Sequence, residues 1–154
     1  MQSQENKIAL VTGAGGGIGS AVCAQLAADR MQLITVDQSV METGHPDYTV
    51  NLSDPDQFDP LEEIPRVDVV VHTASVCPSS PVLEAGVDQF DITYRLNVLC
   101  PLRLLQLFAP KMRNGGCFIF ISSINGSRAC PNLAAYAASK AALNSLTMTA
   151  AEEL

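Results

Sequence analysis

Short apolar runs alternate with longer amphipathic stretches along the chain. Apolar residues recur at helical spacing over 17–30, 88–112 and 132–154, while three prolines within 54–66 leave room for at most a short helix there. Strands that alternate with helices are typical of parallel βαβ units with right-handed crossovers. The pattern predicts an α/β fold with a doubly wound parallel sheet, whose five strands are Lys7–Val11, Gln32–Val36, Tyr48–Val50, Val67–His72 and Cys117–Ile121.

The sequence stops at Glu153-Leu154, inside the last predicted helix and without a Gly, Asn or Pro stop signal. A doubly wound sheet in the order 3-2-1-4-5-6 has at least one more strand beside the fifth. We therefore expect residues 1–154 to form a single Rossmann-like domain of strand order 3-2-1-4-5. We expect that domain to be incomplete at its C-terminus, with the final strands absent from this chain.

Composition narrows the classes of protein and of partner. The 154 residues are 47% apolar and 16% charged, which excludes a disordered tail, and the net charge of −7 argues against a nucleic-acid or anionic-membrane partner. No apolar run reaches the about 18 residues that span a bilayer. Five scattered cysteines without a CxxC pair, together with the polar segment 1–7, predict reduced thiols and a cytoplasmic protein.

The only histidines, His45 and His72, have no partner at ligand spacing, so we expect no metal; a zinc site from His72 and Cys77 is a remote alternative.

A glycine-rich loop joins the first predicted strand to the first predicted helix. Such a loop lets the backbone approach a pyrophosphate, while the helix N-terminus supplies N–H donors and a positive dipole. A glycine-rich turn without a ligand is the alternative. The position between strand and helix favours a dinucleotide site that uses Gly13, Gly15, Gly17, Ile18 and Gly19.

Asp37 ends the second predicted strand, 18 residues beyond Gly19. From that position a carboxylate reaches the adenosine ribose hydroxyls and repels a 2′-phosphate. Gln38 follows, and the loop has no Arg or Lys to offset the repulsion. A polar strand end without such a role is the alternative, but the arrangement favours NAD(H) over NADP(H).

Tyr136 and Lys140 lie four residues apart, on one face of the last predicted helix. A free phenol has a pKa of about 10, and a nearby ammonium or the positive ring of an oxidised nicotinamide favours the phenolate. The pair is therefore a candidate general acid/base, although this spacing also arises by chance in exposed helices. Ser122 and Ser123 follow the fifth strand at the sheet edge where ligands bind; only one can face the site, and residue chemistry does not decide which.

Taken in order, four elements resemble those of the short-chain dehydrogenase/reductase family: the glycine loop 12–19, Leu96-Asn97-Val98, Ile121-Ser122-Ser123, and Tyr136 with Lys140. The resemblance runs from residue 7 to the end of the chain. In this family the catalytic serine lies 13 residues before the tyrosine, which selects Ser123.

The resemblance implies a role for each of these residues. Tyr136 would be the general acid/base on the oxygen of an alcohol or ketone substrate, and Ser123 would hydrogen-bond that oxygen. Lys140 would hold the nicotinamide ribose and favour the phenolate, so Tyr136 and Lys140 also count as cofactor-binding residues. Asn97 would anchor a water in the proton relay, although a helix-interior Asn with a satisfied amide is the alternative. The helices around Asn97 and Tyr136 are where family members commonly associate, which implies a homo-oligomer, a dimer or tetramer.

Three segments depart from the family pattern. Residues 72–75 read His-Thr-Ala-Ser where the family usually has Asn-Asn-Ala-Gly, and only Ala74, which borders the cofactor, is retained. Asn51-Leu52 stands where an Asp and an apolar residue usually meet the adenine, and Asn can still accept a hydrogen bond there. The link from Asp37 to Asn51 is too short for the usual helix. This short link and Asp37-Gln38 are also similar to those of dihydrodihydroxybenzoate dehydrogenases.

Two functions follow from these residues. The first is an NAD(H)-dependent oxidoreductase that transfers a hydride between the nicotinamide and an alcohol or carbonyl substrate, with Tyr136 as acid/base. The second is a dinucleotide-binding module without turnover, because the C-terminal substrate-binding part is missing. Asn97, Ser123, Tyr136 and Lys140 together favour the first, since a pure binding module would not need them.

Overall fold

A five-stranded parallel sheet is the centre of the computed structural model, which describes residues 7–112 and 115–154. The strand order is β3-β2-β1-β4-β5, which confirms the predicted order, and every pairing is parallel. Most of the polar segment 1–7, on which the prediction of a cytoplasmic protein partly rests, lies outside the described residues. The strands are β1 (Ile8–Thr12), β2 (Gln32–Asp37), β3 (Tyr48–Thr49), β4 (Val69–His72) and β5 (Cys117–Phe120).

Within residues 7–112 and 115–154, five α-helices connect and cover these strands. They are α1 (Gly17–Ala28), α2 (Asp59–Glu62), α3 (Val87–Tyr94), α4 (Cys100–Phe108) and α5 (Ala134–Glu153). The short α2 confirms that the proline-rich segment holds only a brief helix. No helix links β2 to β3 in the described chain, as the short connection predicted; a turn closed between Met41 and Gly44 takes its place.

Side chains of the central strands alternate between the two faces of the sheet. Leu10 of β1 enters a core with residues of α2 and α4, whereas its neighbour Val11 packs on the other face with side chains of α1. Both faces are therefore covered, which explains why β4 is a continuous apolar run. Within the described part of the chain, no helix is both long and apolar enough to cross a membrane.

The predicted helix over 88–112 is continuous but irregular. A π-helical turn, Arg95–Leu99, joins α3 to α4, and a 3₁₀ turn, Ala109–Lys111, follows α4. Pro101 lies just after the π turn and has no N–H to donate to the carbonyl of Asn97, four residues earlier. The widened turn accommodates the proline without breaking the helix, and it contains Asn97.

Candidate functional site

The glycine loop makes a turn that larger residues cannot make. Gly13 has a φ of +66°, and a Cβ there would lie 2.6 Å from the backbone nitrogen of Ala74. A Cβ on Gly19 would collide with the carbonyl oxygen of Gly13. The first turn of α1 has no acidic side chain, so its own residues do not neutralise the positive end of the helix dipole. The loop therefore has the backbone geometry and the charge that suit a bound pyrophosphate.

Asp37 is fixed against this loop. One carboxylate oxygen of Asp37 accepts a hydrogen bond from the backbone N–H of Gly15 at 2.9 Å, and the other accepts from the N–H and hydroxyl of Ser39. Backbone donors hold the carboxylate at the end of β2, beside the turn. An anionic group thus lies at a fixed place next to the N-terminus of α1.

One cavity of about 730 Å³ runs along this edge of the sheet. Its wall includes nine of the residues that the sequence predicted for a cofactor: Gly13, Gly15, Gly17, Ile18, Gly19, Asp37, Asn51, Leu52 and Ala74. The side chain of Ile18 is 56% exposed although it is apolar, because it forms part of this wall. Tyr136 and Lys140, also predicted to contact a cofactor, are not among the lining residues. None of the described residues that line the cavity is Lys or Arg.

Asn51 uses its acceptor internally. Its Oδ1 accepts from the N–H of Ser53 at 3.1 Å and from the Ser53 hydroxyl at 2.7 Å. The amide oxygen, which we expected to accept a hydrogen bond from an adenine, is thus already bonded. The NH₂ of Asn51 is the group that this side chain can offer to a ligand.

The segment His72-Thr73-Ala74-Ser75 bonds to both neighbouring elements despite its departure from the family pattern. The Thr73 hydroxyl donates to the carbonyl of Thr12 at 2.8 Å and lies 3.2 Å from that of Gly13. Ser75 donates to Oδ1 of Asn97 at 3.1 Å. Small hydroxyl side chains therefore tie the end of β4 to the glycine loop and to the π turn.

Asn97 is completely buried and makes four hydrogen bonds within the protein. Its Oδ1 accepts from Ser75 and from the N–H of Val76, while its Nδ2 donates to the carbonyl of Val76 and to Ser139 of α5. The side-chain amide is satisfied, which is the alternative stated for this residue. A water in a proton relay would therefore have to bind the backbone carbonyl of Asn97, to which Pro101 donates no hydrogen bond.

Tyr136 and Lys140 share one face of α5. Lys140 is 2% exposed, and its Nζ donates to the carbonyl of Ile121 at 2.8 Å, just beyond β5. The same Nζ lies 5.5 Å from the centre of the Tyr136 ring. Burial lowers the pKa of Lys140 below its ordinary value, while the nearby Cys77 acts in the opposite direction. A buried lysine is thus held next to a half-buried phenol.

The two serines after β5 have different partners. Ser122 donates to Oδ1 of Asn144 in α5 at 2.6 Å, which turns it towards that helix. Ser123 precedes a 3₁₀ turn, Ile124–Gly126, and accepts from the N–H of Asn125, which leaves its hydroxyl proton available to another acceptor. These contacts favour Ser123 as the serine of the site, the choice that the family spacing had made.

His72 lies beneath the site and is 1% exposed. Its Nδ1 lies 2.7 Å from the Thr12 hydroxyl and 3.9 Å from Sγ of Cys100. Burial, followed by the charge of Lys140, lowers the pKa of His72 to about 3, against the opposing effect of the Leu96 carbonyl. The ring is therefore neutral at physiological pH.

Sequence reasoning missed three side chains that support the site: Thr73, Ser139 and Asn144. Each is polar, and each forms a hydrogen bond with a residue more than 20 positions away in the sequence. Ser139 and Asn144 are two of several polar residues in the Ala-rich helix α5, so the sequence alone does not single them out.

Comparison with known proteins places these residues in context. A protein-family model described as "Enoyl-(Acyl carrier protein) reductase" matches residues 13–154. A short-chain dehydrogenase/reductase of Hericium erinaceus is 30% identical over 176 residues, which cover 96% of this chain and 68% of that protein. A 3-oxoacyl-(acyl-carrier-protein) reductase of Thermotoga maritima is 30% identical over 170 residues, covering 97% of this chain and 69% of that protein.

Solved structures share the fold. A 4-hydroxyisoleucine dehydrogenase complexed with NADH and succinate has a TM-score of 0.85 at 27% identity, over 94% of this chain and 72% of that one. A short-chain dehydrogenase from Streptomyces avermitilis has a TM-score of 0.88 at 26% identity, over 98% of this chain and 61% of that one. The similarity covers almost the whole of the present chain and about two thirds of these relatives.

Proposed function

The chain belongs to the short-chain dehydrogenase/reductase family, and from that premise we propose that it is an NAD(H)-dependent oxidoreductase acting on an alcohol or carbonyl substrate. A relative in the family that was solved with NADH supports a nicotinamide dinucleotide as the cofactor.

The observation that carries the choice of NAD(H) is the charge of the cavity wall. Asp37, fixed by Gly15 and Ser39, supplies a carboxylate at the end of β2, and no described lining residue is cationic. A ribose diol can donate hydrogen bonds to such a carboxylate, whereas a 2′-phosphate would be repelled by it. An added Cβ at Gly13 or Gly19 would collide with backbone atoms, so these two glycines allow the tight turn that a bound pyrophosphate requires.

For the chemical step we assign roles to residues of α5 and of the segment after β5. The bound nicotinamide would supply or accept the hydride. Tyr136 would give a proton to the substrate oxygen, or take one from it, and Ser123 would donate a hydrogen bond to the same oxygen. Lys140, held by the Ile121 carbonyl, would place its positive charge near the phenol and offer its remaining N–H groups to a ribose.

The first experiment compares the two reduced cofactors. Fluorescence titration should show that NADH binds at least about tenfold more tightly than NADPH, a difference of about 1.4 kcal/mol. Replacing Asp37 by Ala together with Gln38 by Arg should narrow or reverse this preference. Equal affinities for the two cofactors in the unmodified protein would refute the assignment of Asp37.

The second experiment separates an enzyme from a binding module. With a panel of small ketones and secondary alcohols, Tyr136→Phe should lower kcat by orders of magnitude and leave NADH affinity nearly unchanged, because only the hydroxyl is lost. Lys140→Ala should lower kcat and also weaken NADH binding. Tyr48→Phe, in β3 at the opposite edge of the sheet, is the matched control and should change neither quantity. Cofactor binding without any turnover would support the binding module, and full activity of Tyr136→Phe would contradict the catalytic assignment.

A further inference from the structure

The side-chain amide of Asn51 offers the cavity a hydrogen-bond donor rather than an acceptor. A backbone N–H can only donate, so the amide atom that lies 3.1 Å from the N–H of Ser53 is the oxygen of Asn51. The Ser53 hydroxyl donates to the same oxygen at 2.7 Å, so both acceptor positions of that oxygen are used. The NH₂ group of Asn51 has no hydrogen-bond partner among the described residues, and it belongs to a half-buried side chain in the cavity wall.

The backbone N–H of Leu52 is a second donor next to this amide. The N–H groups on either side of it are bonded, that of Asn51 to Oε1 of Gln57 at 3.0 Å and that of Ser53 to Asn51. Within residues 7–112 and 115–154, the N–H of Leu52 has no partner, although the residue is only 6% exposed. A buried backbone N–H without a partner is uncommon, and an acceptor on a ligand in the cavity would satisfy it.

The strand order indicates which part of a dinucleotide meets these two donors. β3 lies beyond β2 from β1, and the N–H of Val50 donates to the carbonyl of Asp37 at 2.9 Å, so Asn51 follows directly after the neighbour of Asp37. In the proposed function, on which this inference rests, the pyrophosphate lies at the glycine loop and a ribose reaches Asp37. The base on that ribose then lies farther along the same edge, where Val40 and Ile92 add exposed apolar surface that suits the face of a purine.

Purines differ in the groups that their edges offer. Adenine has the acceptor N7 beside its N6 amine, which donates, whereas a 6-oxopurine has the acceptors N7 and O6 side by side. An amide side chain recognises adenine by accepting from N6 and donating to N7, which Asn51 cannot do because its oxygen is bonded to Ser53. The NH₂ of Asn51 and the N–H of Leu52 match the two acceptors of a 6-oxopurine, whereas adenine offers only one acceptor on this edge.

We propose that Asn51 is a specificity-determining residue through which this site accepts a 6-oxopurine dinucleotide at least as well as the adenine form. The simplest such ligand is nicotinamide hypoxanthine dinucleotide, in which an oxygen replaces the N6 amine of NAD. Its riboses, pyrophosphate and nicotinamide are those of NAD, so the glycine loop and Asp37 meet the same groups in both ligands. A comparison of the two affinities therefore isolates the contacts of Asn51 and Leu52 with the base.

Fluorescence titration of the 154-residue chain with NADH and with reduced nicotinamide hypoxanthine dinucleotide tests the proposal without any turnover. The hypoxanthine form should bind the unmodified protein as tightly as NADH or more tightly. Asn51→Asp keeps the size of the side chain and the acceptor for Ser53, but it turns a second oxygen towards the cavity. This variant should favour NADH by at least about fivefold, because the carboxylate accepts from the N6 amine and repels O6.

Asn132→Asp is the matched control, because it adds the same charge at an exposed position that does not line the cavity, and it should leave the ratio of the two affinities unchanged. Asn51→Ala removes the donor without adding an acceptor, and it should weaken the hypoxanthine form more than NADH. Circular dichroism checks that each variant is folded.

Two results would overturn the proposal. One is that NADH binds the unmodified protein more than about threefold more tightly than the hypoxanthine form. The other is that neither substitution of Asn51 changes the ratio of the two affinities. Both results leave the proposed function intact, because NADH still binds, whereas a failure of both dinucleotides to bind would contradict the proposed function as well.

Discussion

Replacing Gly19 by Ala tests the glycine loop at the position where the structure has no room for a side chain. A Cβ there would collide with the Gly13 carbonyl oxygen and would lie 2.8 Å from the Gly13 carbonyl carbon and 2.9 Å from Cα of Ala14. All three are backbone atoms, which cannot rotate away as a flexible side chain would. Gly17, in the same helix, has no atom within 4 Å of an added Cβ, so Gly17→Ala is the matched control.

The expected difference is the sum of two effects. Overpacking costs typically about 1–3 kcal/mol, and a backbone contact this close places Gly19→Ala near about 3 kcal/mol. Alanine is better than glycine in a helix by up to about 1 kcal/mol, which offsets part of that cost in Gly19→Ala and gives the control a small gain. Gly19→Ala should therefore lose about 2 kcal/mol of unfolding free energy, or lower Tm by about 4–8 °C.

Thermal unfolding followed by circular dichroism, without cofactor, measures this difference. NADH titration of the same two variants should show a weakened complex for Gly19→Ala, because the displaced turn no longer follows the pyrophosphate. Equal Tm values for the two alanine variants would refute the reasoning, since the two glycines share a helix and differ in the space around them.

Three further outcomes are expected. The free energy of unfolding should fall by about 2 kcal/mol between pH 6.5 and pH 5, because His72 takes up a proton in the unfolded chain but stays neutral in the folded protein, where its pKa is about 3. Urea titrations at the two pH values measure this loss of stability, and His72→Asn should remove most of it. Asn97→Ala should cost about 3 kcal/mol because it leaves buried partners unsatisfied, whereas Asn144→Ala, which loses the hydrogen bond from Ser122, should cost about 1 kcal/mol in the same urea assay. Light scattering at micromolar concentration should show that the 154-residue chain associates through β5, at the edge of the described sheet. Ile119→Lys, which places a charge on the exposed face of β5, should reduce this association, and a monomer at all concentrations would contradict the expected homo-oligomer.

The sequence predicted the fold well because its signals are local. Strand ends differ by one or two residues, as at β4, where Val67 is buried by packing but lies before the ladder begins. The helix over 88–112 was predicted from its period, but its π turn was not. A single extra residue in one turn shifts the spacing of the apolar residues too little to be recognised in the sequence.

The site was predicted less completely because its bonds join distant residues. The glycine loop and Asp37 form a contiguous pattern whose physical reason is visible in the residues themselves. The role of Thr73 cannot be predicted in this way, because its hydrogen-bond partners Thr12 and Gly13 lie about 60 positions away. Likewise, residue chemistry left Ser122 and Ser123 open, and the contact that distinguishes them joins Ser122 to Asn144 of α5, 22 positions away.

The π turn has a consequence for how this helix tolerates insertions and deletions. On its N-terminal side Thr93 is buried, within the turn Asn97 bonds Val76 and Ser139, and beyond it Leu104 and Phe108 enter the apolar core. Losing one residue from the turn would rotate one half of the helix against the other by about 100°. Either Asn97 would leave its partners or the two core side chains would turn towards solvent. The extra residue therefore sets the relative phase of two helix halves with different tasks, so neither half can be shortened or lengthened independently of the other.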